Sequence, residues 1–424
     1  MVNMEVTIFS RETIKPSNVS SLDHLKPPKI CLFDQLTPVT YPEVLLFYSI
    51  CDPNLTLHKT LFIQLKKSLS ETLTLFYPFS GRTKNNLYID DFDAGVPYSE
   101  ARVNCRMSDY LQLRETESLN KFVAFHPFSK EGETSGPQLA IQVNLFTCGG
   151  IALGVSVCHK KSDGATLSHF LKSWAALTTR APDRVVPPDL SKAATLFPPL
   201  TDLPSNSLAL MDQLCPVPDP KRRRELFHME ARHGGLLGRV GLAEDRHRGP
   251  RRQHEAQNEK VLSLENCTGN LFWWASIVVN PAEKAKLELS QLVALTSEMV
   301  AEFNGEYLET MVGEAGFEPV SEFVNQLEAM LSLESEKPDI FAFTNWKSFF
   351  NEVDFGFGNP VWVGAHGKVG SELRNLIILI DSQGSNDKEI EAFVTLEDRQ
   401  MAVLESDSKF LAFAWNSKSI NSSL

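Results

Sequence analysis

The amino-acid sequence predicts a mixed α/β fold, because stretches with the periodicity of strands alternate with stretches that have the periodicity of helices. Residues 139–145 and 151–157 place apolar side chains at every second position, and residues 148–150 mark a glycine turn between them. Residues 167–177 then repeat apolar side chains at helix spacing. The glycine fingerprint of a dinucleotide-binding βαβ unit is missing, so we expect mixed layers of strands and helices.

Other elements follow from the same patterns. An early segment repeats apolar residues on one helix face and predicts an amphipathic helix that ends before Pro78. These residues are Leu61, Phe62, Leu65, Leu69, Leu73 and Phe76. Near the C-terminus, the apolar run 376–380 predicts a buried strand, the alternating residues 390–396 predict a second strand, and residues 397–404 predict a helix.

The length of the chain predicts two domains, because 424 residues are many for one hydrophobic core. Residues 181–220 are rich in proline and turn residues and are typical of a linker. We therefore expect an N-terminal domain at residues 1–185, a crossover linker at 186–220 and a C-terminal domain at 221–424.

Composition excludes several classes of protein. The net charge of −12 argues against a general nucleic-acid or anionic-membrane binder, and no segment approaches the ~20 apolar residues that span a bilayer. The N-terminus lacks the layout of a signal peptide. The seven cysteines are scattered without C-x-x-C spacing, which is typical of reduced thiols in the cytosol and not of a zinc site. We expect a cytoplasmic monomer without a metal, a membrane or a nucleic-acid partner.

The most informative motif is H-K-K-S-D-G at residues 159–164, which follows directly on a predicted strand and opens a predicted helix. His159 can take and return a proton near neutral pH, because the pKa of its imidazole lies closest to that range. Asp163 lies where a helix N-cap is expected, and Gly164 leaves room for backbone or substrate beside the histidine. Taken alone, a packed or surface histidine explains His159 equally well, and a cap explains Asp163 better than a catalytic acid does.

A second motif, D-F-G-F-G, stands at residues 354–358 and is followed by Pro360. Two glycines around an aromatic residue and a nearby proline mark a tight, irregular loop. Taken alone it is an ordinary turn in which Asp354 accepts hydrogen bonds from loop amides.

Together the two motifs resemble the BAHD family of plant acyl-CoA-dependent acyltransferases, which carries H-x-x-x-D-G near the middle and D-F-G-W-G near the C-terminus. Within it, the chain is similar to the vinorine-synthase-like alcohol acyltransferases. Further stretches look like the same family, in the same order. They are residues 75–82, 148–151, 269–274, 344–346 and 390–396.

The resemblance implies two domains of chloramphenicol-acetyltransferase-like topology with a channel between them. It implies transfer of an acyl group, acetyl above all, from acyl-CoA as co-substrate to a hydroxyl or an amine of a small plant metabolite. His159 is then the general base, and Asp163 orients its loop. A covalent intermediate on Cys158 is a weaker option, because strand alternation points Cys158 and His159 in opposite directions.

The resemblance also implies roles for two further segments. Donors to the oxyanion are expected from Thr344, Asn345, Trp346 and the adjoining loop. The second motif is expected to be a structural loop remote from the chemistry, and its members are Asp354, Phe355, Gly356, Phe357 and Gly358. Phe357 stands where the family has tryptophan, which keeps the aromatic ring and loses an N–H donor.

One block does not resemble the family. Residues 221–252 hold ten Lys or Arg against four Asp or Glu, and no helix or strand period is clear there. We predict that the atypical region extends over residues 221–266, and we favour a reading-frame or splicing error as its origin. In the family this region holds an ordered strand and helix and the arginine that pairs with the motif aspartate, so Asp163 would lack its partner.

Three alternatives stay open at this point. The atypical block favours an inactive acyltransferase-like binding protein. The basic run 221–224 could meet nucleic acid, although a solvated loop explains it better. A condensation-type enzyme shares the histidine motif but acts on carrier-bound substrates. The histidines of the block lack metal-ligand spacing; they are His228, His233 and His247.

Overall fold

The computed structural model describes residues 4–18, 24, 26–50, 55–125, 136–214, 222–230, 264, 266–279, 288–332, 340–365, 375–382 and 389–416. Helices and strands are mixed along the chain, which confirms the predicted fold class. The helices are α1 (Leu32–Leu36), α2 (Leu55–Leu75), α3 (Met107–Leu113), α4 (Gly164–Thr178), α5 (Lys192–Leu196), α6 (Ser205–Leu214), α7 (Leu289–Glu302), α8 (Gly305–Thr310), α9 (Phe317–Leu331), α10 (Asp398–Ser406) and α11 (Ser408–Leu411). The strands are β1 (Val6–Ile14), β2 (Glu43–Tyr48), β3 (Arg82–Lys84), β4 (Tyr88–Asp90), β5 (Val96–Val103), β6 (Leu139–Phe146), β7 (Ile151–Val157), β8 (Arg222–Glu230), β9 (Phe341–Asn345), β10 (Trp362–Ala365), β11 (Asn375–Asp381), β12 (Glu389–Glu397) and β13 (Ala414–Asn416).

The first sheet has the strand order β1-β5-β6-β7-β2-β10 over the described residues. Adjacent strands of this sheet pair antiparallel, except for β5 and β6, which are parallel. The predicted hairpin is confirmed, because β6 and β7 pair from Leu139 opposite Val157 to Leu145 opposite Ile151. β10 comes from the C-terminal half of the chain and pairs with β2, so a late strand completes a sheet that the N-terminal half builds.

The second sheet has the order β13-β8-β12-β11-β9, in which β9 and β11 are parallel. The strands predicted at residues 376–380 and 390–396 are β11 and β12, which pair antiparallel, and the helix predicted after them is α10. Alternation along β12 sends Phe393 toward the first sheet and Val394 toward α10 and α11, so each face of this strand buries its own apolar layer.

The prediction of a block without strand periodicity is wrong for its first residues. β8 pairs with β12 along its whole length, from Arg222 opposite Glu397 to Glu230 opposite Glu389. Arg224 is buried and is not part of a solvated loop: its Nε donates to Thr395 Oγ1 at 2.7 Å and its Nη1 to the Ala365 backbone oxygen at 3.2 Å. Arg224, Glu225 and His228 find partners on neighbouring elements, and these partners are invisible in the sequence of the strand itself.

The predicted helices α2 and α4 pack against each other beneath the first sheet. Trp174 of α4 is fully buried, and its Nε1 donates to the Leu65 backbone oxygen at 3.2 Å and to Ser68 Oγ at 3.1 Å. Thr178 and Ser68 share a hydroxyl hydrogen bond of 2.8 Å. These bonds fix the axis of α4, and with it the loop from which α4 starts.

The segment predicted as a linker carries α5 and α6 and contributes side chains to a second apolar cluster around α1 and α9. Phe197 and Leu210 are buried there, and the Phe197 ring lies 4.9 Å from that of Phe33. Among the helices of the described residues, none combines the length and the apolar character needed to cross a bilayer.

Candidate active site

His159 stands immediately beyond β7, where the backbone still pairs with the residues before β2. Its N–H donates to the Thr40 backbone oxygen at 2.8 Å, and the N–H of Cys158 donates to the Gln138 backbone oxygen at 2.8 Å. These bonds hold the main chain of the motif as rigidly as a strand, while the imidazole is half-buried at the strand end.

Asn270 fixes the orientation of the imidazole. His159 Nδ1 lies 3.0 Å from Asn270 Oδ1, and Asn270 Nδ2 donates to the His159 backbone oxygen at 2.6 Å and to Asp34 Oδ1 at 3.0 Å. Because Nδ2 faces two oxygens, Oδ1 must be the atom that meets the ring, and Nδ1 must carry the proton. Nε2 is therefore the unprotonated nitrogen and has the lone pair of a base.

Burial lowers the pKa of His159 below its ordinary value. A backbone hydrogen bond, the carboxylates of Asp163 and Asp34, and the bond to Asn270 act in the opposite direction but do not outweigh it. The imidazole is accordingly neutral at neutral pH, which is the protonation state that a general base requires.

Aromatic side chains line one side of the imidazole. The ring of Phe272 lies 5.5 Å from that of His159, and the ring of Trp274 lies 6.2 Å beyond Phe272. Trp273, between them in the segment 271–279, instead packs on Phe33 at 5.5 Å and on Phe323 at 5.1 Å. Alternation therefore gives this segment one aromatic face toward the base and another toward the core.

Asp163 is the N-cap of α4. Its Oδ1 accepts from the Thr166 N–H at 2.8 Å, and its Oδ2 accepts from the Leu271 N–H at 3.1 Å. The nearby charge of Lys161 also attracts it. The expected loss of an arginine partner therefore does not leave this carboxylate without partners, since two backbone donors and a lysine surround it.

Gly164 opens α4, and the space beside it holds an aromatic ring. A Cβ at this position would come within 2.7 Å of the Phe349 ring. Ser168 Oγ also donates a hydrogen bond to the Phe349 backbone oxygen. The space predicted to hold backbone or substrate is thus filled by Phe349, which docks the segment after β9 against α4.

The second motif forms a loop closed by its own aspartate. Asp354 Oδ1 accepts from the N–H of Gly356 at 2.7 Å and of Gly358 at 2.9 Å, and both glycines have positive φ, at 98° and 89°. The ring of Phe355 meets Trp174 at 4.8 Å, and that of Phe357 meets Tyr48 at 4.8 Å. Trp174 lies ten residues into α4, so the loop contacts that helix about 15 Å along its axis from Gly164.

Thr344, Asn345 and Trp346 lie where β9 ends. Asn345 is buried and its Oδ1 accepts from the Lys347 N–H at 3.1 Å, while the Trp346 N–H donates to the Leu379 backbone oxygen at 2.7 Å. Within the part of the chain that the structure describes, no hydrogen bond joins these three residues to His159. Hydrogen bonds therefore join Asn270 directly to the histidine, and the oxyanion role of Thr344, Asn345 and Trp346 stays a prediction.

Asp34 and Lys161 form a buried ion pair beneath this group, with 3.1 Å between Oδ2 and Nζ. Burial alone would lower the pKa of Lys161, but Asp34, together with the smaller effects of Cys31 and Asp163, raises that pKa above its ordinary value. The neighbouring Lys160 is also buried, and its Nζ donates to the backbone oxygens of Gln35 and Thr37, at 2.7 Å each. The two lysines of the motif thus attach α1 and the residues after it to the His159 loop.

Asp34, Lys161 and Asn270 also belong to this site, although the sequence did not predict them there. Asn270 lies within a stretch that resembles the family, and the glycine before it was the available signal for a constrained backbone. The structure gives this residue, Gly269, a φ of +128°. Asp34 gave no signal, because a carboxylate in a short apolar segment looks like a surface residue until its partners are seen.

Comparison with known proteins identifies the family. A model of the Transferase family matches residues 4–227 and 262–411. An epi-neemfruitin B 7-O-acetyltransferase from Melia azedarach is 33% identical over 456 residues, which cover 97% of this chain and 98% of the relative. Akuammiline synthase 2 from Alstonia scholaris is 30% identical, with 97% of each chain covered.

Solved structures share the fold. Vinorine synthase aligns with a TM-score of 0.68 at 23% identity, covering 96% of this chain and 98% of that one. TRI101 of F. sporotrichioides, complexed with coenzyme A and T-2, aligns with a TM-score of 0.58 at 14% identity, covering 92% and 100%.

The chain belongs to the Transferase family, the BAHD acyltransferases. The family model leaves residues 228–261 unmatched, and these residues lie within the region 221–266 that the sequence predicts to be atypical.

Proposed function

We propose that this protein transfers an acetyl group from acetyl-CoA to a hydroxyl of a plant specialised metabolite, with His159 as the general base. One observation carries the proposal: Asn270 holds Nδ1 of the imidazole in its protonated form and leaves Nε2 as a lone-pair acceptor. The named relatives, which include O-acetyltransferases, support acetyl as the donor group and a hydroxyl as the acceptor.

The chemistry follows from the acid–base properties of the groups. An alcohol is a poor nucleophile at neutral pH, and a base within hydrogen-bond reach can remove its proton as the C–O bond forms. Attack on the thioester carbonyl gives a tetrahedral oxyanion. Its collapse breaks the C–S bond, and the proton held at Nε2 of His159 passes to the departing CoA thiolate. Base and acid are then the same atom, and the imidazole ends the cycle neutral.

Direct transfer is favoured over a covalent intermediate. Cys158 adjoins the base but is buried, and burial raises the pKa of its thiol to about 11. A thiol with that pKa provides almost no thiolate near neutral pH. Burial also raises the pKa of the Cys31 thiol well above its ordinary value.

The remaining roles are proposed as follows. Asp163 orients the His159 loop through its bonds to Thr166 and Leu271. The motif of Asp354 is structural, because it docks on Trp174 and not beside the imidazole. Donors for the oxyanion are assigned to Thr344, Asn345 and Trp346 by family resemblance; replacement of Thr344 by valine tests this, with a fall in kcat expected at unchanged stability.

A second candidate, an inactive binding protein, rests on residues 228–261, which the family model does not match. The ordered surroundings of Asp163 favour the enzyme over this candidate. The expected cytoplasmic, monomeric state remains part of the proposal, and light scattering of the purified protein tests the monomer.

An acetyl-CoA turnover assay over a panel of alcohols and amines, followed by release of free thiol, tests the function. We expect thiol release that depends on an alcohol and disappears in His159→Ala. Titration of CoA into both proteins is the control for an intact binding site. CoA binding with no turnover on any acceptor would establish the inactive binding protein instead.

A further inference from the structure

We propose that Asp34 is a positioning residue for acyl transfer: it selects the orientation of the Asn270 amide, and through it the tautomer of His159. The proposal rests on the proposed function of His159 as a base. Asp34 touches neither the imidazole nor a place where substrate is expected, so its effect must pass through Asn270.

The Asp34 carboxylate is completely buried and has a donor for each side of both oxygens. Oδ1 accepts from the backbone N–H of Asn270 at 2.7 Å and from its Nδ2 at 3.0 Å. Oδ2 accepts from the Cys31 N–H at 2.9 Å and from Lys161 Nζ at 3.1 Å. Four donors account for the accepting capacity of a carboxylate, so this group is fixed in one orientation.

A charged acceptor at this position decides which end of the Asn270 amide faces which neighbour. With the amide as it stands, Nδ2 meets Asp34 and the His159 backbone oxygen, and Oδ1 meets the imidazole. The flipped amide would point its oxygen at the Asp34 carboxylate and leave a donor facing the ring. Oxygen against carboxylate is repulsive, so the negative charge of Asp34 holds the amide in the orientation that keeps the proton on Nδ1 and frees Nε2.

The ion pair with Lys161 is hard to explain as a device for stability alone. Both groups are removed from water, with 4% and 0% of their side chains exposed. Burial of two charges costs free energy that their attraction only partly returns, and apolar side chains of similar volume stabilise a core at least as well. Lys161 lies two residues from His159. Its positive charge balances the buried negative charge with which Asp34 orients Asn270.

The test measures the tautomer of His159 directly. Nitrogen-15 spectra of histidine-labelled resting protein separate the Nδ1–H form from the Nε2–H form, and His159→Ala assigns the signal. We expect the Nδ1–H form in the unmodified protein and a mixture of forms in Asp34→Asn, which keeps the shape and loses the charge. This readout needs no turnover, so failure of the proposed function does not obscure the result.

Kinetics give the second readout. In Asp34→Asn we expect kcat to fall about 10- to 100-fold, the scale of one hydrogen bond to a charged group, with little change in the KM for acetyl-CoA. Asn270→Ala should cost a similar factor, and the double variant should cost no more than either one. Independent effects that multiply in the double variant would overturn the proposal.

Controls separate positioning from folding. Glu391→Gln alters another fully buried, ion-paired carboxylate and should lower the melting temperature without changing the tautomer of His159. Should Asp34→Asn fail to fold, Asp34→Asn with Lys161→Met removes both buried charges together. A folded variant of either kind that retains the Nδ1–H form rejects Asp34 as the group that selects it.

Discussion

Asp163 Oδ2 accepts a hydrogen bond of 3.1 Å from the Leu271 N–H, so the carboxylate of the histidine motif is bonded to the residue that follows Asn270. The backbone of residues 270–271 therefore donates hydrogen bonds to both Asp163 and Asp34. The side chain of Asn270, in the same segment, bonds to the imidazole of His159. We therefore expect the aspartate of the motif to act on the geometry of the histidine through this segment.

His159→Ala should abolish acyl transfer, with kcat falling by a factor of about 10² or more, because no other base replaces Nε2. Its circular dichroism spectrum should match that of the parent, since the backbone bonds of His159 persist without the ring. Turnover assays and the spectrum check this together. A folded variant with undiminished turnover would contradict the role of His159.

Asp163→Asn should move the acidic limb of the pH profile of kcat/KM to lower pH. The Asp163 carboxylate raises the pKa of His159, so loss of its charge lowers that pKa further. The imidazole then stays neutral, and active, at a lower pH than in the parent. Asp354→Asn serves as the control, because it also removes a carboxylate charge and its loop does not contact the imidazole; an equal shift in both variants would speak against a local effect.

Asp354→Ala should lower the free energy of unfolding by about 2–3 kcal/mol, because two loop N–H groups lose a charged acceptor. We expect a lower yield of soluble protein and a lower melting temperature, with the pH profile of the remaining activity unchanged. Asp354→Asn retains an acceptor oxygen and should lose less. A shifted pH optimum at unchanged stability would place Asp354 in the chemistry instead.

Gly164→Ala should destabilise the protein by about 1–3 kcal/mol, the usual cost of overpacking, because the new Cβ would overlap the Phe349 ring. Gly164→Ala with Phe349→Leu should recover part of that loss, since leucine leaves space for the methyl group. Chemical denaturation of the two variants and of Phe349→Leu alone measures the coupling. Additive effects would show that the two side chains do not compete for this space.

Lowering the pH below the ordinary pKa of histidine should destabilise the fold, in part through His228. This side chain is buried beside Trp415 and 3.7 Å from Glu391, and burial lowers its pKa despite that carboxylate. The folded state therefore binds fewer protons there than the unfolded state does, and its stability falls as the pH drops from about 6.5 toward the lowered pKa. His228→Phe should flatten this dependence in melting curves between pH 7 and pH 5. His159 contributes with the same sign, so His159→Gln should flatten it as well; an unchanged slope in His228→Phe would contradict the assignment.

Much of the fold could be predicted from the sequence where the pattern is local. The hairpin of β6 and β7 shows regular alternation around a glycine turn, and the apolar stripe of α4 follows directly. β8 could not be predicted, because three consecutive arginines hide its alternation and polar side chains are buried in it beside apolar ones. Thr395 and Glu391 on β12 supply partners for Arg224 and His228, and only the register of the two strands brings them together.

The residues of the site likewise fall into those that a local motif predicts and those that only the folded structure brings together. His159 and Asp163 stand in one continuous motif, so the sequence alone indicated them. Asn270 and Asp34 come from distant segments, and their contribution depends on hydrogen bonds that no spacing within the chain reveals. The prediction for Gly164 was wrong in a related way, because the ring that occupies the space beside it belongs to Phe349, beyond β9.

The position of β10 constrains how the polypeptide can be made. Until Trp362–Ala365 has left the ribosome, the outer edge of β2 has no strand beside it, and Phe47 lacks the indole that covers it at 5.0 Å. The nascent N-terminal half therefore exposes an unpaired, apolar strand edge while the second sheet is still being synthesised, and an exposed edge of this kind is prone to wrong pairing. A fragment that ends before residue 362 should for this reason aggregate, even though it contains His159, Asp163 and Asn270.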